Sequence, residues 1–204
     1  MDIFVVVALL GVALHIFKSR EQAERVALLG SFLGKFQIEK LMQEVLGGYH
    51  RALGESDAQR QAQVWHYLAP QEQNLADQFS RFALDLAEVY EARARVSRLP
   101  LALPFLSLTM PSSTFDLRKL MSVHGHGINQ AVANAQGLSA KRRAFTVMAE
   151  LLLMQHSCHW FCRSKLVASA RLLARHQTAY AQVLDAVAPQ TRQAYLAVIG
   201  LPGR

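Results

Sequence analysis

The chain opens on an unbroken apolar run and then turns amphipathic. Residues 3–17 (IFVVVALLGVALHIF) are fifteen side chains without a formal charge, with His15 the one strongly polar member. As a helix they would rise roughly 22 Å, at about 1.5 Å per residue, against a hydrocarbon core of about 30 Å. Met1 and the aliphatic stem of Lys18 lengthen the run, and local thinning of the bilayer covers the rest. The residues before it, Met1-Asp2, are not basic, and no small-residue cleavage site follows it. The pattern therefore predicts an uncleaved membrane anchor and not a signal peptide. Lys18, Arg20 and Arg25 come after the run. By the positive-inside rule they predict an inner-membrane protein with its bulk in the cytoplasm and a two-residue tail outside. The competing expectation is a soluble bundle that buries the same run as a core helix.

Downstream, apolar positions recur at helical spacing. Val26, Leu29 and Leu33 lead into Ile38, Leu41, Met42, Val45 and Leu46, which predicts that the anchor continues as a long amphipathic helix. Gly47-Gly48 and Gly54 predict its fraying end and a turn. Ser56 and Asp57 are N-cap residues for the next helix, and Pro70 suits the first position of another. Leu75, Phe79, Phe82, Leu86 and Tyr90 make one stripe, with Arg81, Asp85 and Glu88 off it, as a core helix requires. Residues 99–111 (LPLALPFLSLTMP) hold three prolines in apolar surroundings and predict an ordered apolar loop, on the core or at the membrane interface. Ser112-Ser113-Thr114 would cap a helix reaching Asn134, ended by Gly137. Ser139 would cap a long helix over 140–173, continuing with a bend to Val187. Pro189 and Gly200 bracket a last short one. No alternating strand pattern of useful length is present.

The prediction is an all-α chain: an anchor helix over 1–19, then an antiparallel helical bundle. Residues 20–98 and 112–204 would pack as one domain, joined by the apolar connector 99–111.

Charge changes the picture at that connector. Residues 1–111 hold 11 Lys/Arg and 12 Asp/Glu, whereas 112–204 hold 11 and 3, so the whole net charge of +7 sits in the second half. A positive field beside a membrane favours anionic headgroups or an acidic protein partner. Lys141, Arg142, Arg143, Arg163, Lys165, Arg171 and Arg175 carry that expectation, against Glu150 alone in the same stretch. No nucleic-acid-binding motif accompanies them, and nucleic acid is disfavoured.

The densest chemistry is His156, Cys158, His159 and Cys162. Thiolate and imidazole suit transition metals or haem, and His124, His126 and His176 are available to complete a site. Core packing is the plainer expectation, because buried free Cys and His are common in bundles. Cys158 and Cys162 are four apart, too far along a helix to bridge easily. Arg163 and Lys165 could activate Cys162 as a thiolate. P-loop, G-x-G-x-x-G, G-x-S-x-G, H-E-x-x-H and E-x-x-H patterns are missing, so standard enzyme classes are disfavoured. The sequence thus favours a membrane-anchored, non-enzymatic protein without a cofactor that binds a partner or lipid headgroups, with a metal- or haem-binding redox protein as the alternative.

Overall fold

The computed structural model describes residues 3–101 and 109–200. These residues form eight α-helices and one two-stranded sheet. The helices are α1 (Ile3–Leu33), α2 (Ile38–Gly54), α3 (Ala58–Ala87), α4 (Leu117–Val132), α5 (Ala140–Cys162), α6 (Lys165–His176), α7 (Tyr180–Ala186) and α8 (Pro189–Ile199). The all-α class holds, and one helix, α1, is long and apolar enough to cross a membrane.

The apolar run is not enclosed. Val5, Leu9 and Leu14 are 47%, 60% and 55% exposed, and none of the most apolar 18 residues of α1 is buried. Among the described residues, no later helix covers this run. Beyond Lys18, α1 becomes amphipathic and lays Leu29 on the bundle. It stops at Leu33, four residues short of Gln37, which precedes α2, so the anchor does not run on into the next helix.

The bundle is built around α5, whose neighbours are α1, α2, α4, α6 and α7; α3 packs between α2 and α4. Leu75, Phe79, Phe82 and Leu86 enter the core from α3 as their spacing demands. Tyr90, past the end of that helix, is 75% exposed and does not join them. Asp57 caps α3 by accepting from the Arg60 N–H at 2.8 Å.

Several predicted boundaries move. Pro70 lies inside α3, not at its start, and on an exposed face where water can satisfy the carbonyl it leaves unpaired. Gly47 and Gly48 lie within α2, and Gly48 lets the helix approach the Leu68 side chain. Ser112–Thr114 caps no helix. Arg95–Ser97 (β1) pairs antiparallel with Thr114–Asp116 (β2), Val96 opposite Phe115, and Asp116 caps α4 through the Arg118 N–H at 2.9 Å. Trp160 of α5 locks this hairpin by donating to the Ser97 carbonyl at 2.8 Å. The long helix expected over 140–173 breaks at Ser164, whose hydroxyl caps α6 by accepting from Val167 N–H. Gln177, in the left-handed region at φ 51°, ends α6, so no bent helix continues to Val187. Most of the apolar connector, 102–108, lies outside the described residues.

Candidate functional site

The residues singled out in the sequence separate into three environments. The first is a sealed polar core. His124 and His156 are 0% and 1% exposed, with His156 at the back of a cavity beside α6. His124 Nε2 meets the Ser157 hydroxyl at 2.9 Å, and His156 Nε2 meets the Ser169 hydroxyl at 3.1 Å while its ring stacks on Tyr180. Burial holds both imidazoles down at about 3, so they are neutral. Glu150, fully enclosed, accepts from the Ala188 N–H at 3.1 Å; burial pushes its carboxyl up to about 7 against the pull of Thr191 and Ala188. His124 and Ser157 line none of the described cavities.

The second environment removes two cations from the partner-binding set. Arg143 forms a two-pronged ion pair with Glu72, 2.6 and 3.1 Å, and donates to the Val132 carbonyl at 3.1 Å. It is a core countercharge and not a free ligand-binding group. Lys165 is folded over the Trp160 and Tyr180 rings, 5.1 and 5.0 Å from their centroids, where burial lowers its pKa. Lys141 and Arg142 stay exposed at the start of α5, and His126 is exposed beside Gln130.

The third environment is a groove. Three cavities of about 350, 420 and 600 Å³ adjoin along one face of α5. Gln155, His159 and Arg171 line both the first and the second; Arg175 lines both the second and the third. Along α5 the more open lining residues are Phe145, Met148, Leu152, Gln155, His159 and Cys162, with the buried Ala149, Met154, His156 and Cys158 beside them. One wall is α2, with Met42, Leu46 and His50; the other is α6, with Leu172, Arg171 and Arg175. Val26, Leu29 and Leu33 of α1 close the Cys162 end.

The rim is positive. Arg163, Arg171 and Arg175 are exposed, and none meets a carboxylate among the described residues. Arg163 donates to Gln22 of α1 at 2.7 Å, and an Arg171 amine lies 3.3 Å from His159 Nδ1. Burial, then Arg171 and Arg175, lower the His159 pKa; burial, then Arg175 and His50, lower that of His176. Glu39 is the one acid among the lining residues.

Burial works against thiolate formation at the sulfur end of the groove. Burial pushes Cys158 up to about 12, and raises Cys162 despite the opposing pull of Arg163, Arg25 and Arg171. Cys158 points its thiol at the Met154 sulfur, 3.8 Å away. Among the described residues no three His, Cys, Asp or Glu side chains converge as metal ligands. Of the residues named for a metal, Cys158, His159 and Cys162 share one cavity and His156 and His159 share the next, while His124 and His126 line neither.

Sequence reasoning missed Met42, Leu46, Phe145 and Met148, which build the groove with the cations. Phe145, Met148 and Leu152 did carry a signal, the 3-4 spacing of a helix seam. Comparison with protein-family models, curated proteins and solved structures finds no match in any of the three.

Proposed function

We propose that this chain is a single-anchor membrane protein whose helical bundle is a non-enzymatic binding module, held on the cytoplasmic face of an inner membrane, taking an anionic partner on its basic-rimmed groove. The observation that carries the membrane placement is the bare apolar half of α1. Ten large apolar side chains between Ile3 and Phe17 are each 47% exposed or more. Fully burying one such side chain is worth about 1.5–3 kcal/mol, so lipid around these half-exposed ones gains on the order of 10 kcal/mol. Apolar groups lie on every side of this stretch, and it offers no polar face for lying flat at the interface. Lys18, Arg20 and Arg25 favour a cytoplasmic bundle, and two free cysteines suit a reducing compartment.

Fractionation tests the reading. An inserted helix keeps the protein in the membrane pellet through high salt and alkaline carbonate and releases it only to detergent. Salt alone removes a protein held by its basic surface, since surface attraction is screened over about 8 Å at physiological ionic strength. Recovery in the soluble fraction without detergent would end this proposal.

A further inference from the structure

The floor of the groove has a spacing that fixes what shape fits it. Phe145, Met148, Leu152, Gln155, His159 and Cys162 follow one another at steps of 3, 4, 3, 4 and 3. This is the a/d repeat by which one α-helix receives another. Phe145 is 48% exposed and the other five are half-buried, so the seam is open. The neighbouring apolar stripe of the same helix, Val147, Leu151, Met154 and Cys158, is buried against the bundle, and Met154 and Cys158 edge the groove at its α1 end. Seventeen residues separate the ends of the seam, about 26 Å at 1.5 Å per residue. A groove open along that length suits a helix about 10 Å across. An acyl chain favours a cavity enclosing most of its surface.

Charge and position narrow the occupant further. Arg163, Arg171 and Arg175 border the seam, with Glu39 the sole lining acid. The Arg163–Gln22 bond and the Arg25 bond to the Phe161 carbonyl, 3.2 Å, tie the Cys162 end of the seam to the first turns after the apolar run. From there the floor runs away from that run, since Leu29 and Leu33 share a cavity with Met154.

We infer that the groove receives an acidic amphipathic α-helix of a second protein, lying along α5 with its apolar stripe on the Phe145–Cys162 seam and its carboxylates against Arg163, Arg171 and Arg175. This rests on the binding-module reading and names the partner class. Gln155 and His159, polar in mid-seam, set the register of the incoming helix.

The test uses the full chain in detergent micelles and a labelled synthetic 21-residue helix with leucines at a and d and glutamates flanking them. Its controls carry lysine flanks or a scrambled apolar pattern. Fluorescence anisotropy is expected to show binding of the glutamate helix alone. Arg171→Glu with Arg175→Glu is expected to weaken it at least tenfold and to admit the lysine-flanked helix instead. Phe145→Ser, at an exposed position that cannot unfold the bundle, and Leu152→Asp are each expected to weaken binding severalfold. Equal binding of the scrambled helix, or indifference to the arginine reversal, overturns the proposal. Displacement of the helix by phosphatidylglycerol bicelles through the same arginines makes a headgroup the ligand and likewise overturns it. The two proposals fail separately: a chain that stays in the membrane pellet but binds no helix loses only this one, and a chain found soluble loses the anchor whatever the peptide does.

Discussion

Replacing Arg143 with alanine separates structure from function at a residue that sequence alone assigns to a ligand. The guanidinium grips Glu72 with two bonds, 2.6 and 3.1 Å, and the Glu72 carboxylate is 1% exposed. Truncating the cation leaves an enclosed carboxylate without its countercharge. Tyr49 beside it supplies none, its own phenol pushed above the ordinary range by burial and then by Glu72. Breaking a buried pair from one side costs about 3–5 kcal/mol. In a domain of this size each kcal/mol shifts the melting midpoint by about 2–4 °C, so Arg143→Ala is expected to lower it by about 6–20 °C. Circular dichroism of the detergent-solubilised chain during urea unfolding measures the cost at constant slope. Glu72→Met with Arg143→Met removes both charges and is expected to restore most of the loss. Arg171→Ala, exposed and without a carboxylate partner, is expected to stay within about 0.5 kcal/mol of the parent. A loss below about 1 kcal/mol for Arg143→Ala would refute the pairing and return Arg143 to the partner-binding face.

Stability should peak near pH 6.5. His124 and His156, depressed from 6.5 to about 3, contribute stability that is full above pH 6.5 and lost on acidification. Glu150, raised from 4.5 to about 7, contributes stability that is full below pH 4.5 and lost as pH rises through 7. Between 4.5 and 6.5 two histidine slopes of about 1.4 kcal/mol per pH unit oppose one glutamate slope, so stability rises with pH until the histidines stop titrating. Glu150→Gln is expected to abolish the decline above pH 6.5, about 0.7 kcal/mol over the half unit to pH 7, and to steepen the rise below it, in a denaturation series against pH. Gly127→Ala should cost about 1–3 kcal/mol in the same assay, because its Cβ would lie 2.5 Å from Thr191 Oγ1 and 2.6 Å from Glu150 Oε2. Val5→Arg, Leu9→Arg and Leu14→Arg together are expected to shift the chain from the pellet to the soluble fraction, since each arginine in the run costs about 2.5–3.5 kcal/mol on insertion and three offset a gain on the order of 10 kcal/mol; retention in the pellet would show that the run is not the anchor.

Helix faces were legible in the sequence where burial is one-sided. Leu75, Phe79, Phe82 and Leu86 went to the core because nothing competes with a single apolar stripe. The last helix followed from Pro189 and Gly200, which act locally. Three-residue strands were illegible, because Arg95–Ser97 is too short to show a period of two and Trp160, 63 positions away, fixes its end. The Ser164 break was legible in principle as an N-cap before Leu166 and Val167, but the unbroken apolar pattern hid it. Arg143 was misassigned for a related reason. Its neighbours Lys141 and Arg142 make a basic trio, while the acid that claims it stands 71 positions upstream. The groove was half legible: its floor repeats along one helix, but its walls come from α2 and α6.

Two helices in this chain, α1 and α5, carry apolar side chains around most of their circumference, a pattern that requires cover on every side. The bundle covers neither completely. On α1 the bare stretch offers uncharged side chains in all directions, and hydrocarbon meets every need it has. On α5 the bare stripe is narrow, contains Gln155 and His159, and is edged by Arg171 and Arg175. Hydrocarbon would strip water from the Arg171 and Arg175 guanidinium groups, which meet no carboxylate among the described residues, at several kcal/mol each. Water would leave Phe145, Met148 and Leu152 wet. An amphipathic helix with acidic flanks meets both demands at once, so the exposure by which we propose lipid for α1 is, on α5, the ground for proposing a protein helix.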